Sequence, residues 1–335
     1  MAGQALFDLD ERGARGLNLQ GLKLFAGNSN PELAKKIAEA LGVPLGAMMS
    51  KRFADGEIRI KVEESARGSD VFLIQPTCAP ANENVMELLI MLDAFRRASA
   101  RRITVVVPYY GYARQDKKTK PREPITARLV ADFIQLAGAS RVVALDLHAE
   151  QIQGFFQVPV DHLYGGPILA RHFIDQGYGH RRDVVVVSPD TGGVTRAKAL
   201  ADQLGAGIGV IAKNRPAPNV AEVVEIVGEF EGKTCIIIDD MIDTGGSIVS
   251  GAQALMDRGA RETIACCSHA VFSNPASERL ENSCLKEVVV LDTVPVEMEK
   301  RFPKLTILSA APLIAAAIGR IHSNESVSEL FDRWS

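Results

Sequence analysis

Two carboxylates stand side by side at Asp239 and Asp240, directly after the apolar, mostly β-branched run Cys235–Ile238. Asp243, Thr244, Gly245, Gly246 and Ser247 follow, and Ile248, Ala252, Leu255 and Met256 then recur at helical spacing up to Gly259. The pattern reads as a buried strand, an acidic turn, a glycine loop and a helix that Gly259 ends. Small residues at a helix start leave backbone N–H groups free, and the positive end of the helix dipole adds to their pull on a phosphate. Carboxylates at the carboxyl end of a strand accept hydrogen bonds from sugar hydroxyls or hold a metal-bound substrate. A phosphorylated polyol fits both halves of this stretch. The plainer alternative is an ordinary strand-to-helix turn with a capping Asp.

Other stretches carry compatible chemistry. In RFADGEI, Phe53, Asp55 and Glu57 alternate, so an extended segment points them one way, a ring beside two carboxylates suited to a purine. The competing reading is a hairpin turn at Asp55-Gly56 with Phe53 in the core. YYGYARQDKKTKPREP concentrates Arg114, Lys117, Lys118, Lys120 and Arg122 in a chain of net charge −3. Polyphosphate binding fits, with Arg114 offering a bidentate or stacked guanidinium, although a solvated basic loop has the same composition. DLH and SPDTGG each close a strand and offer His148 and Asp190 as metal ligands, Asp190 being a hard oxygen suited to Mg²⁺. In AKNRPAPNVAE, Lys213 and Arg215 alternate on a proline-bearing loop, two cations able to close over a phosphoryl group in transfer. GEFEGKT, at 228–234, has one residue too few between its glycines for a P-loop and leads into a strand, so it is rejected.

The elements needed to position these residues are legible. Strands are expected at 22–26, 58–62, 71–75, 103–107, 142–147, 183–187, 208–212, 235–238, 263–269 and 288–291. Helices are expected at 31–41, 84–98, 126–137, 167–176, 194–204 and 313–322. Alternation of this kind predicts α/β architecture with two doubly wound parallel-sheet domains. Residues 1–20 read as a loose extension and 21–166 as the first domain, joined by a C-terminal segment at 313–331. Residues 167–312 read as the second domain, carrying the glycine loop.

Composition bounds the function. A chain of 335 residues with 47% hydrophobic and 24% charged residues is ordinary globular protein with room for two domains. The slight net acidity argues against a general nucleic-acid binder. No apolar run approaches the ~18 residues of a membrane span, and no signal peptide is visible. The five cysteines form no CxxC pattern and suit buried free thiols in a reducing cytoplasm.

The stretch DDMIDTGGSI resembles the PRPP-binding loop of the type I phosphoribosyltransferase fold. With FADGE, PYYGYARQDKK, REPITARLVADF, DLHAEQIQGFF, VVSPDTGG and RPAPNVAEV, the chain from about Leu22 to Phe331 resembles the phosphate-activated class I ribose-phosphate diphosphokinase family. The resemblance implies transfer of the β,γ-pyrophosphoryl group of ATP to the anomeric hydroxyl of ribose 5-phosphate, giving PRPP and AMP. It implies that Phe53, Asp55, Gly56, Glu57, Arg114 and Gln115 hold ATP and that His148 and Asp190 bind Mg²⁺. Lys213 and Arg215 would act in catalysis, and Arg215, Asp239, Asp240, Asp243, Thr244, Gly245, Gly246 and Ser247 would hold ribose 5-phosphate. It further implies a homohexamer activated by inorganic phosphate and inhibited by ADP, with 117–122 and 326–328 as the matching regulatory positions. Pro121 stands where Ser is common, TGGS where TAGT is common, and Asn214 where a basic residue is frequent. The alternatives are a phosphoribosyltransferase, which needs neither FADGE nor RQDKK, a non-catalytic paralogue, which would lose Lys213, Arg215, His148 or the acidic pair, and a nucleic-acid-binding regulator, which would add a helix-turn-helix segment.

Overall fold

The computed structural model describes residues 19–214 and 223–330. Most of the expected N-terminal extension, through residue 18, and Arg215 lie outside them. The described chain divides into two compact units, one ending at Leu163 and resuming at Ser309, the other running from Tyr164 to Leu308.

In order, the first unit contains β1 (Leu22–Ala26), α1 (Pro31–Leu41), β2 (Met48–Arg52), β3 (Ile58–Val62), β4 (Asp70–Ile74), α2 (Ala81–Arg97), β5 (Arg102–Val107), α3 (Thr126–Ala137), β6 (Arg141–Leu145) and β7 (Val160–Leu163). The second contains α4 (Gly166–Asp175), β8 (Val184–Ser188), α5 (Val194–Leu204), β9 (Gly207–Asn214), β10 (Val223–Val227), β11 (Thr234–Ile242), α6 (Gly246–Met256), β12 (Glu262–Ala270), α7 (Ala276–Glu281), β13 (Leu285–Leu291) and β14 (Leu305–Leu308). Helix α8 (Ala311–Ser323) returns to the first unit.

The first unit is built on a parallel sheet in the order β1-β4-β5-β6-β7, with β2 and β3 forming a separate antiparallel hairpin. Strand β4 is buried along its whole length, so its two faces need two cores. Val71 and Leu73 point into a cluster with Leu88, Met91 and Phe95 of α2 and Ile134 of α3. Met48, Ile60 and Val62 of the hairpin pack on that same cluster. Helices α1 and α8 pack on each other. Asn30 caps α1 by accepting from the Leu33 amide at 3.2 Å, and Pro31 opens it.

The second unit is a seven-stranded sheet in the order β10-β9-β8-β11-β12-β13-β14, parallel except for β10. Its order reverses between β8 and β11, which creates a crevice at the carboxyl ends of those two strands. Helices α6 and α7 supply Ile248, Ala252, Leu255 and Leu280 to the core on one face of this sheet. Cys235 and Cys267 lie in that core as free thiols, and burial pushes the Cys235 thiol up to about 11.

Two local expectations are corrected. Asp239 and Asp240 belong to β11 itself and not to a turn, because β12 pairs with β11 as far as Ile242, with Asp239 opposite Cys267. Lys213 lies in β9 and not in a loop, because the antiparallel β10 sets Val224 against it and Val223 against Asn214. Gly259 ends α6 as expected: with φ of 83° it closes a Schellman turn in which Gly259 N donates to Met256 O at 3.0 Å and Ala260 N to Leu255 O at 3.1 Å.

Candidate active site

Strand β8 pairs with β11 only through Val187 and Ile237. Beyond that point β11 continues with β12 alone, so Asp239 and Asp240 stand at the edge of the crevice left by the end of β8. The Asp239 carboxylate accepts from the Asp240 amide at 2.8 Å. Arg196, from the first turn of α5, reaches both acids, its Nη1 lying 3.5 Å from Asp239 Oδ1 and 3.8 Å from Asp240 Oδ1. Burial, and after it the Asp240 charge, hold the Asp239 carboxyl well above the usual carboxylate range, while Arg196 pulls it back. The side chain of Asp239 keeps 23% of its surface open, so it remains within reach of a ligand.

The glycine loop closes the same crevice. Gly245 is the N-cap of α6 with φ of 72°, a left-handed conformation that suits glycine. No side chain caps the first turn of α6, so its amides are not taken up by a capping residue. A Cβ on Gly245 would lie 3.3 Å from Leu280 Cγ, and one on Gly246 would lie 3.3 Å from Arg279 Nη1. Arg279 of α7 donates to the Thr244 carbonyl at 2.7 Å and so braces the loop from behind. Across the crevice, the loop after β8 is tied to itself. Ser188 Oγ donates to the Asp190 carbonyl at 2.6 Å, and Asp190 Oδ1 accepts from the Gly193 amide at 2.9 Å. The Asp190 side chain is nonetheless exposed.

In the first unit, Phe53 is 48% exposed, which removes the core reading of that ring. The Arg59 guanidinium lies 5.8 Å from its centroid. The tip is a tight turn. Phe53 N donates to Glu57 O at 2.8 Å, Gly56 N to Phe53 O at 3.0 Å, and Glu57 N to Asp55 Oδ1 at 3.1 Å, with Gly56 at φ 95°. Asp55 and Glu57 are exposed beside the ring, and so is Arg114. Two ties bring the hairpin and the Arg114 loop to one place. Arg52 pairs with Glu83, and the Tyr112 hydroxyl donates to Asn82, both acceptors lying in the first turn of α2. Gln115 accepts from Thr126 Oγ1 at 2.6 Å, and its carbonyl from the Ala127 amide at 3.2 Å, which fixes the loop onto the start of α3. In the basic segment, Glu123 Oε2 accepts from the Thr119 and Lys120 amides at 2.9 and 2.8 Å and from Thr119 Oγ1 at 2.8 Å. These bonds hold the Glu123 carboxyl low. His148 is exposed, just beyond β6 and the buried Asp146.

Asp239, Asp240 and the 243–247 loop thus gather at one crevice, with Asp190 on the loop beyond the neighbouring strand. Phe53, Asp55, Glu57, Arg114 and Gln115 belong to segments tied to α2 and α3. The side chain of Lys213 and all of Arg215 fall outside what is described. Arg196 and Arg279 were not among the expected site residues. A cation in the first turn of a helix opposes the helix dipole, and that mismatch is a sequence signal for an anionic partner of Arg196. Arg279 gives no such signal, since only the fold brings α7 beneath the loop.

A parallel sheet with this switch point, acidic pair and glycine cradle defines a protein of the type I phosphoribosyltransferase-like class. Residues 22–138 match the model for the N-terminal domain of ribose phosphate pyrophosphokinase, and residues 212–332 match the phosphoribosyl synthetase-associated domain. The chain is 58% identical to a ribose-phosphate pyrophosphokinase of Clostridium tetani, over 93% of this chain and 98% of the relative. It is 60% identical to a ribose-phosphate pyrophosphokinase of Halalkalibacterium halodurans, over 93% and 98% of the two chains. A crystal structure of phosphoribosylpyrophosphate synthetase from Mycobacterium smegmatis superposes with a TM-score of 0.85 at 47% identity, covering 90% of this chain and 99% of that one. The chain belongs to the ribose-phosphate pyrophosphokinase family.

Proposed function

We infer that this chain transfers the β,γ-pyrophosphoryl group of ATP to the anomeric hydroxyl of ribose 5-phosphate, giving PRPP and AMP for nucleotide biosynthesis. The observation that carries the reading is the pairing of two adjacent acids, Asp240 buried and Asp239 part-open, with an uncapped glycine loop at the switch point of the second unit. Thr244 to Ser247 and the first amides of α6 hold the 5-phosphate. Asp239 and Asp240 accept from the ribose hydroxyls, with Arg196 balancing their charge. Phe53 stacks on adenine with Arg114 nearby, Asp55 and Glu57 accept from nucleotide donors, and Gly56 and Gln115 set the shape of their loops. Lys213 and Arg215 stabilise charge on the transferring group, where cations and backbone amides do most of the work of in-line transfer.

His148 and Asp190 are the residues that would each offer Mg²⁺ a ligand, and the ion would supply neutralisation of triphosphate charge when bound. Among the described residues no three His, Cys, Asp or Glu side chains cluster as a metal cage. Exposed single ligands fit an ion that keeps several waters and arrives on a nucleotide. We assign inorganic phosphate as activator, a homohexamer as the working assembly, and the cytoplasm as its place. No described helix is long and apolar enough to cross a membrane.

The test is phosphorus NMR of the protein with ATP, ribose 5-phosphate, Mg²⁺ and inorganic phosphate. AMP with a pyrophosphorylated ribose is expected. ADP with a monophosphorylated product would mean an ordinary kinase, and a folded, inert oligomer would mean a non-catalytic paralogue.

A further inference from the structure

The carboxylate of Glu87, on α2, is 4% exposed and has no part in the roles assigned above. Donors from three other segments converge on it. Oε1 accepts from Ser50 Oγ at 2.5 Å and Asn28 Nδ2 at 2.8 Å. Oε2 accepts from Gln75 Nε2 at 2.7 Å and from the Asn28 amide at 3.3 Å. The Gln75 side-chain oxygen accepts from Ser29 Oγ at 2.7 Å, which fixes which way its amide faces. The loop after β1, strand β2 and the end of β4 therefore share one buried anion.

Two periodicities meet here. Ser50 and Arg52 are two apart in β2 and point the same way, while Glu83 and Glu87 are four apart on α2 and share a face. Ser50 bonds Glu87 and Arg52 bonds Glu83, so one face of the strand is laced to one face of the helix. The residue after Arg52 is Phe53. The Arg52–Glu83 pair has both side chains about half exposed and is weak on its own. The Glu87 bonds are part-buried, the one from Gln75 fully buried, and they converge on one carboxylate, which makes them the stronger tie. An apolar side chain would fill the same space without the cost of burying a charge. What the carboxylate adds is direction.

We propose that Glu87 is a positioning residue that orients the β2–β3 hairpin so that Phe53, Asp55 and Glu57 face the nucleotide, without touching ATP itself. The proposal rests on the reading of that hairpin as part of the ATP site.

The experiment is steady-state kinetics with ATP and ribose 5-phosphate varied in turn, on Glu87→Ala, Ser50→Ala, the exchange Gln75→Glu/Glu87→Gln, and Phe53→Ala. Glu87→Ala is expected to raise KM for ATP about tenfold or more, with KM for ribose 5-phosphate within about twofold, since it removes several bonds to a charged group. Ser50→Ala, which removes the hairpin's bond to Glu87 and the one Ser50 accepts from Asn28 at 2.9 Å, shifts KM for ATP in the same direction by a smaller factor. The exchange is expected to recover part of the loss, since a carboxylate at 75 cannot replace the bond that Gln75 Nε2 donates to the Asn84 carbonyl at 3.3 Å. The amide placed on the helix donates to the carboxylate placed at 75, and its oxygen still accepts from Ser50 and Asn28. Equal rises in both KM values, or no change in KM for ATP in folded Glu87→Ala, overturn the proposal. If Glu87→Ala does not fold, an unchanged KM for ATP in Ser50→Ala overturns it. If Phe53→Ala leaves KM for ATP unchanged, the ATP reading of the hairpin fails, and the proposal with it. If Phe53→Ala raises KM for ATP and Ser50→Ala does not, the positioning role alone fails.

Discussion

His322 Nδ1 lies 2.8 Å from Asp70 Oδ2, a contact between positions 252 apart in the sequence. Asp70 opens β4 with no exposed surface, and Arg102 Nε donates to its other oxygen at 2.8 Å. That hydrogen bond raises the Arg102 pKa, so the guanidinium stays charged and paired. The contact fastens the end of α8 to the sheet of the first unit, although the whole second unit intervenes in the chain. Asp70→Ala leaves Arg102 without its buried partner and is expected to cost about 3 kcal/mol, the low end for a broken buried pair because Arg102 is partly exposed. Hydrogen exchange should quicken in α8 before it does in β11. Unchanged protection in α8 would show that apolar packing holds the return segment alone.

Asp239 gives a prediction with opposite signs for stability and function. Its carboxyl pKa is raised in the folded protein, by burial first and by Asp240 second. Below the usual range of an unfolded Asp, about 3.9, the group is protonated in both states and costs nothing. As pH climbs through the raised folded value, ionisation in this site destabilises the fold. Asp239→Asn removes that cost and keeps the oxygen that accepts from the Asp240 amide. Tm at pH 8 is expected to rise by a few degrees, roughly 1 kcal/mol, with the gain shrinking toward pH 4. KM for ribose 5-phosphate should rise, since a neutral amide is a weaker acceptor for sugar hydroxyls. A variant with lower Tm at pH 8 would mean that Arg196 outweighs burial there.

What the sequence shows and hides in this protein follows from where information is stored. Buried parallel strands such as β4 and β8 are continuous apolar runs and are read directly. Strands β2, β7 and β14 are partly exposed, with MMSKR, VDHL and LTIL giving no clear alternation, and they emerge only from their pairing partners. The acidic pair is legible as chemistry because Asp239 and Asp240 are adjacent. Its membership of β11 is not, because that depends on how far β12 extends. The Asp55-Gly56 turn is visible in the residues, whereas the exposure of Phe53 depends on which face of the hairpin meets the core. Arg279 and Glu87 act through contacts 35 and 37 positions away, to Thr244 and Ser50, which no local pattern encodes.

Arg279 tests whether the phosphate loop is held from behind. Its Nη1 donates to the Thr244 carbonyl at 2.7 Å, and α7 otherwise meets the loop through Leu280, against which Gly245 lies closely. Arg279→Ala removes one exposed hydrogen bond, so stability should change by less than about 1 kcal/mol. KM for ribose 5-phosphate is expected to rise several-fold, with KM for ATP unchanged, because a cradle of backbone amides binds well only when its geometry is fixed in advance. Substrate titration by calorimetry checks this directly. Equal effects on both substrates would place Arg279 in general folding and not in the loop.

Lys213 separates holding from transfer. Its backbone is the penultimate position of β9, opposite Val224, so a regular strand carries it up to the segment that follows. A cation that only anchors ATP lowers the ground state and the transition state alike, and losing it raises KM with little change in kcat. One that meets charge developing on the transferring pyrophosphoryl group acts mainly in the transition state, and losing it lowers kcat. For Lys213→Ala, turnover is expected to fall by about two to three orders of magnitude, as removal of one such electrostatic group does elsewhere, while the Kd for ATP measured without ribose 5-phosphate stays within about threefold. Arg215→Ala should behave in the same way. The pair of variants combined should fall less than the product of the single losses, since groups acting on one transition state are not additive. A matching loss in the Kd for ATP would assign Lys213 to anchoring and leave the transfer step to other groups.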